Sequence, residues 1–498
     1  MASESKHQEE ADEDRISILP DDVLCHILSL LDTHEAVHTT ILSKRWNNFW
    51  TSLPNLKLCD RYFPKSHSQQ KHKSESDPFM TFVDHVMRLR DSKDIRKFSL
   101  SCMHRELQFM PKDAYRIHCW IGAAIEHNIV ELDISLVGCN GMNFPLPHSL
   151  YTCTTLVVLK LESNCISYDP PITGCFPRLK LLVVSFTNPD SPDSVRRLFS
   201  CCPVLEDLAI YGYPGRDNLA VTISASELKT LKIHLGCNEY YLSDPAYTFI
   251  IDAPKLENFS LKDPWFRSNY QFENGNSVLK ANIVLNDSEE DDPKDFADRT
   301  SALLGRISNV EQLYFSAAFL EDFHMSTLES LHHLELSLGG CNYWDLLVEF
   351  LKKSPNLNHL VLINSGCEPN FKDEVERNLV TPAVSPNCLL SSLETISIKQ
   401  FKGQRDEMEV AEYLLKNGEV LNKMKIYIMN PRYSGVHTKE ELSNTLLRYE
   451  KGSKTCQVEV IYDENWTKYT NVILFSDMGK SGEECQWPSN VRLIKVVK

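Results

Sequence analysis

No stretch of this sequence stays apolar for the roughly 20 residues that a membrane-spanning helix needs, so no membrane partner is expected. Glycine is scarce, 18 in 498 residues. None stands in a G-x-G-x-x-G or G-x-x-x-x-G-K array, the spacings at which backbone amides cradle phosphates. The 16 cysteines are scattered without a single C-x-x-C. Cys201 and Cys202 are adjacent and suit a structural disulfide poorly, so reduced core thiols are expected. Zinc needs clustered ligands at short spacing. The nearest temptation, His34 with His67 and His72, has no acidic or cysteine ligand at fixed distance and reads as solvated chain. Positive charge is also short: 52 Lys and Arg against 68 Asp and Glu give −16. Such a chain gains no sequence-independent attraction to phosphate backbones, so no nucleic-acid partner is expected. No nucleophile, base and orienter stand out as a set, so neither enzyme activity nor a cofactor is expected.

What is present fits a soluble protein, 42% hydrophobic and 24% charged. It is too long for one ordinary core, so several units or an elongated repeat are expected. Residues 1–14 are polar and acidic, neither signal nor transit peptide, and read as a disordered lead-in. The expected location is cytoplasm, nucleus or both, where the sequons at Asn258, Asn286 and Asn465 meet no glycosylation machinery.

Residues 15–55 read as three short helices. Pro20 suits a first helical position, and Asp21 and Asp22 complement the dipole of the first turn. Val23, Leu24, Ile27, Leu28 and Leu31 make an apolar stripe. Thr33 can cap a second helix carrying Ala36, Val37, Ile41 and Leu42. Ser43 can cap a third with Trp46, Phe49 and Trp50, ending at Leu53-Pro54. A segment this small is marginal alone, which calls for a partner, a neighbouring domain or both.

The residues from Asp14 to Leu31, with Leu19-Pro20-Asp21-Asp22-Val23-Leu24, then Glu35-Ala36-Val37 and Ile41-Leu42-Ser43-Lys44-Arg45-Trp46, resemble the F-box of plant F-box proteins. Asp32 stands where proline is common, and His38 where arginine is common. The resemblance implies docking onto a Skp-type adaptor and, through it, a cullin. It places the adaptor contacts at Leu19, Pro20, Val23, Leu24, Ile27, Leu31, Val37, Ile41, Leu42, Ser43, Arg45 and Trp46. Leu28 and Leu30 read equally well as contact or as core.

Beyond a polar stretch, Lys65–Asp77, and a helix around Phe79–Arg90, an apolar unit recurs with the spacing i, i+3, i+5. Its first residues are Ile95, Ile129, Leu156, Leu179, Leu205, Leu228, Leu256, Val278, Val310, Leu331, Leu357 and Leu393. The eleven intervals average about 27 residues, within the leucine-rich-repeat range. The last two apolar positions of each unit lie two apart and share one face of a short strand. Stacked strands then exchange backbone bonds with their neighbours. Pieces such as 194–199 and 343–351 have helical spacing and are expected opposite the strands. The run Ser288–Asp292 reads as a solvated loop rather than a contact for a basic target. The pattern resembles the irregular repeats of plant F-box proteins.

Residues 387–462 read as a strand within Cys388–Gly403, a tight turn at Gly403, an amphipathic helix ending at Asn417-Gly418 and a second strand within Leu421–Ile428. They resemble the FBD region at the C-terminus of many such proteins and could extend and cap the solenoid. The expected architecture is α/β: lead-in 1–14, a three-helix F-box at 15–55, linker and helix at 56–94, a leucine-rich-repeat solenoid or horseshoe at 95–386, an FBD region at 387–462 and an extension at 463–498. The resemblance implies a substrate-recognition subunit of a Skp–cullin–F-box ubiquitin ligase that holds a target protein for ubiquitination. A non-degradative interaction scaffold is the alternative, and a receptor for a small ligand a third reading.

Overall fold

The computed structural model describes residues 16, 18–63, 77–91, 94–102, 111–136, 144–163, 166–167, 170–171, 175–186, 192–212, 220–236, 247–264, 266–286, 292–317, 320, 323–338, 343–364, 384–428 and 439–463. The acidic lead-in, most of the 65–77 stretch, most of the 364–386 loop and residues 464–498 lie outside them. The chain divides into two compact units; the first runs to Leu235 and takes in 245–256 and 270–274, and the second holds nearly all that follows.

In the first unit, seven parallel strands pair in chain order: Asn55–Cys59, Lys97–Cys102, Glu131–Leu136, Val158–Ser163, Leu181–Phe186, Asp207–Gly212 and Thr230–His234. The second unit has eight more: Asn258–Asp263, Lys280–Leu285, Gln312–Ala317, His333–Leu338, His359–Asn364, Thr395–Phe401, Lys423–Ile428 and Gln457–Tyr462. The last two residues of all twelve apolar units fall on these strands, and the first lies just ahead of each. The register stacks like on like, Leu132 beside Leu159 and Ile134 beside Leu161, and all four are fully buried.

The repeat has a backbone signature as well. At the start of most strands, two successive N–H groups donate to one carbonyl just ahead of the preceding strand. Val130 and Glu131 share the Arg96 carbonyl, both at 2.9 Å, and Asn358 and His359 share that of His332 at 2.9 and 3.0 Å. The prolines ahead of the strands sit at the second position of a turn, for which their fixed φ is suited. Thus Leu205 donates to Cys202 across Pro203 (3.3 Å), and Leu256 to Ala253 across Pro254 (3.1 Å).

Three expectations need correction. The N-terminal segment holds two α-helices, α1 (Asp21–Ser29) and α2 (Thr33–His38), followed by 3₁₀ turns at Thr39–Ile41, Lys44–Asn48 and Trp50–Ser52. Pro20 precedes α1, and Asp32, not Thr33, caps α2 through a reciprocal capping box with Glu35. The unit Leu53/Leu56/Leu58 has the repeat spacing too, and its strand lies inside what reads from sequence as linker. The two pieces expected to be helical are so, and other connecting segments are strands. Pro192–Ser200 and Tyr343–Lys353 are helices, but Ala220–Ser224, Thr248–Asp252 and Asn269–Phe272 form a second, three-stranded layer. Their alternation of buried and half-buried residues has period two, which favours strand over helix.

The FBD-like region continues the same ladder. Strand Thr395–Phe401 has an extra residue between Ile398 and Phe401. Gln400 takes it up at φ 57°, and Phe401 turns into the core. Gly403 turns the chain at φ 77° into helix Arg405–Asn417. Gly418 is not left-handed; it is needed for space, since a Cβ there would lie 2.9 Å from the Leu414 carbonyl oxygen. Gly452 is tighter, 2.7 Å from the Lys416 carbonyl oxygen, while its N–H donates to the Leu415 carbonyl (3.0 Å). Gly452→Ala therefore pushes the last strand off the helix end. We expect a loss of about 1–3 kcal/mol in urea unfolding, with faster amide exchange concentrated in 457–462.

Candidate docking surface

The N-terminal segment sorts its apolar side chains onto two faces. On α1, Leu24 and Leu28 are fully buried, as is Ala36 on α2, with Trp46 and Trp50 nearly so. One step around α1, Val23, Ile27 and Leu30 follow the i, i+4, i+7 spacing of a single stripe and face solvent. Ile16, Ile18, Ile41 and Leu42 are also exposed, Ile41 at 82%. Among the described residues, seven of the fourteen exposed large apolar side chains thus come from residues 16–42. Scattered apolar exposure is ordinary, but this density in so short a segment is not, and it marks an interaction surface.

The residues expected at an adaptor contact therefore separate. Pro20, Val23, Ile27, Ile41, Leu42, Ser43 and Arg45 are exposed, and Leu19, Leu31 and Val37 are half-buried. Leu24 and Trp46 are buried and cannot present their side chains; they hold the surface from beneath. Leu28 joins that core, while Leu30 is 73% exposed and joins the outer stripe. Arg45 has an internal task as well. Its Nη2 donates to the Leu19 carbonyl (2.6 Å) and to Asp21 (2.5 Å), tying the last turns back to the start of α1.

The segment is joined to the first strand around Asp32. This carboxylate is 5% exposed and meets Lys57 Nζ at 2.7 Å, Arg61 Nη2 at 2.7 Å and the Tyr62 hydroxyl at 2.8 Å. Beside it, the Lys57 backbone N–H donates to Thr33 Oγ1 at 2.8 Å. His34 stacks on Tyr62 at 4.7 Å and packs against His38, Phe63 and, on helix α3 (Pro78–Leu89), Phe82. Arg90 closes the other side, donating to the Leu53 carbonyl (2.6 Å). On α3, Asp84 accepts from Arg116 and Trp120 of helix α4 (Pro111–Glu126). The expected remedy for a marginal segment is thus present in the neighbouring repeat. His34 holds no metal-like set; His67 and His72 lie outside the described residues, and no cluster able to hold a metal ion occurs among those described.

Burial by itself raises the Asp32 carboxyl. Its hydrogen bonds to Lys57 and Tyr62, with the Lys57 and Arg61 charges, outweigh that and hold it below the usual carboxylate range. Burial, then the neighbouring His38, pushes His34 below the usual imidazole range, against the opposing pull of Glu35 and Asp32. Both shifts favour the fold at neutral pH. The His34 contribution is lost as pH falls below about 6.5, and that of Asp32 as pH falls below about 4. We expect exchange of the Lys57 amide to accelerate, relative to strand Glu131–Leu136, in these two steps between pH 7 and 3.

The strands carry the other large surface. In the first unit, burial raises the Asp133 carboxyl, and burial with the Asp133 charge raises Glu162. Tyr211 stands edge-on to His234 at 5.4 Å. In the second, Lys399 reaches Glu335 at 3.0 Å, and His359 shares a 2.7 Å hydrogen bond with Thr395. The two pairs of the second unit satisfy each other, and no recognisable reaction centre emerges among the described residues. Of the acidic run 288–292 only Asp292 is described, and it caps helix Pro293–Arg306 through the Lys294 N–H (2.9 Å). Burial pushes the Cys175 thiol, next to Cys201, up to about 12, which suits an inert core thiol.

Comparison with known proteins agrees with this division. The F-box domain family matches residues 16–58. A family described as the LRR repeats of FBD-associated F-box protein At5g56370 matches 117–284, and the FBD family matches 381–426. Among curated proteins, the F-box/FBD/LRR-repeat protein At5g56420 of Arabidopsis thaliana is 30% identical over 464 residues, covering 90% of this chain and 99% of the relative. The FBD-associated F-box protein At4g10400 of the same plant is 33% identical, covering 89% and 99%.

Proposed function

The chain belongs to the plant family of F-box proteins with leucine-rich repeats and an FBD region, and from that premise we propose that it is the substrate-recognition subunit of a Skp–cullin–F-box type ubiquitin ligase. The F-box would dock on a Skp-type adaptor and the strand faces would hold a target protein, in the cytoplasm, the nucleus or both. The observation that carries this reading is the exposed apolar stripe over residues 16–42, set on a core of its own and braced by the first repeat. Chemistry would come from proximity alone. A bound target's lysines stand near the ubiquitin-charged conjugating enzyme at high effective concentration, and the chain supplies no reacting group. The strand faces support the same division of labour, being broad, polar and varied in side chain.

The test is co-precipitation from cells expressing the tagged chain. Leu19→Ala with Pro20→Ala removes recovery of adaptor and cullin while the repeats keep their circular-dichroism spectrum. Undiminished recovery of both counts against the reading. Recovery of an adaptor without any cullin points to a scaffold that does not degrade its partner.

A further inference from the structure

The Asp32 cluster does more than a helix cap requires. A cap is satisfied by one acceptor and one backbone donor, and Glu35 completes that arrangement here. The remaining lone pairs of Asp32 go to the repeat, to Lys57 on strand Asn55–Cys59 and to Arg61 and Tyr62 in the turn just after it. Thr33 adds the Lys57 N–H, and His34 adds the ring of Tyr62. Three consecutive residues of the docking segment thus engage three residues of the first repeat by charge, backbone and stacking. None of the three belongs to the exposed stripe. Asp32 and Thr33 are buried and His34 half-buried, whereas Val23, Ile27, Ile41 and Leu42 point to solvent.

We propose that Asp32 is a positioning residue for ubiquitin transfer: its carboxylate locks the docking segment to the first repeat, so that the adaptor surface and the strand face of the first unit keep one fixed relation. The proposal rests on the ligase reading and deepens it. A hinge at this point would let the repeats swing under a docked adaptor. The target's lysines, or the chain's own, would then sample many positions relative to the conjugating enzyme. A locked joint selects a few. The bonds suit a lock because they are short and charge-assisted and converge on one carboxylate that is itself buried, although Lys57 and Arg61 reach it from the solvent side.

The full chain is reconstituted with a Skp-type adaptor, cullin, its RING partner and ubiquitin-charged conjugating enzyme, and the lysines modified on the chain itself are mapped by mass spectrometry. Wild type is compared with Asp32→Asn and with the milder Tyr62→Phe, which removes only the hydroxyl contact. We expect adaptor affinity within about two-fold of wild type in both variants, faster exchange of the Lys57 amide, and modification spreading to lysines untouched in wild type. Mere loss of stability would lower all sites together and would not redistribute them. An unchanged lysine pattern with a loosened Lys57 amide overturns the proposal. A ten-fold loss of adaptor affinity also overturns it, because Asp32 would then belong to the docking surface. If wild type itself binds no adaptor, the ligase reading fails first, and the exchange data show separately whether the joint exists.

Discussion

Ile41→Asp combined with Leu42→Asp lowers affinity for a Skp-type adaptor by about 100-fold or more and leaves the protein's melting temperature nearly unchanged. Both side chains stand in solvent, at 82% and 62% exposure, so the folded monomer loses almost no packing when they go. At a docked surface the balance reverses. Burying an aliphatic side chain of this size contributes roughly 1.5–3 kcal/mol, and an aspartate left there without a partner is strongly disfavoured. A combined loss above about 3 kcal/mol corresponds to two orders of magnitude in Kd. Leu28→Ala makes the control. That residue is fully buried, so its replacement costs about 2–5 kcal/mol of stability, and any loss of binding should track loss of folded box. Isothermal calorimetry with purified adaptor reads the first effect and a thermal melt the second. Wild-type affinity in the double aspartate variant would remove this surface from the docking site.

The contrast between Ile41 and Leu28 also shows how far the residues could be read unaided. The i, i+3, i+5 spacing located twelve strands, because a short parallel strand buried on one face needs apolar residues two apart and little else. It passed over Leu53/Leu56/Leu58, since the next unit begins only at Ile95 and one isolated match is not a period. Strand Lys423–Ile428 was legible, but the last strand, Gln457–Tyr462, was not: Gly452 sets its entrance by close approach to the Lys416 carbonyl, which no periodicity records. In the F-box the stripe was legible as a whole, but its division was not. Val23 and Leu24 are neighbours on one helix, and only the position of α2 and the 3₁₀ turns decides which is covered. Trp46 reads as a contact because it lies in the most distinctive block of the segment; the structure buries it. Asp32 drew notice only as a residue out of pattern. Its partners, Lys57, Arg61 and Tyr62, lie 25 to 30 positions away, beyond the reach of local spacing.

Phe315→Ala is the most destabilising single change expected in the repeats, at about 3–5 kcal/mol. Its ring is fully buried and lies 5.3 Å from that of Phe350, on helix Tyr343–Lys353. Phe350 in turn meets Phe323 at 6.2 Å. On the sheet, Phe315 sits between Ile283 and Leu336, both fully buried. Alanine there opens a cavity bounded by two strands and a helix that their own hydrogen bonds hold in place, so little collapse can fill it. Each repeat is stabilised chiefly by its neighbours, and the damage should therefore spread to the strands on either side. Ser316→Ala, one residue on and half-buried on the opposite face beside Tyr314, should cost only about 0.5–1.5 kcal/mol, the worth of one hydrogen bond. Because side chains alternate with a period of two, a register slipped by a single residue would exchange these outcomes. Urea midpoints with unchanged slopes, together with exchange rates in 280–285 and 333–338, read both. A small effect at Phe315 beside a large one at Ser316 would show that the strand faces had been assigned the wrong way round.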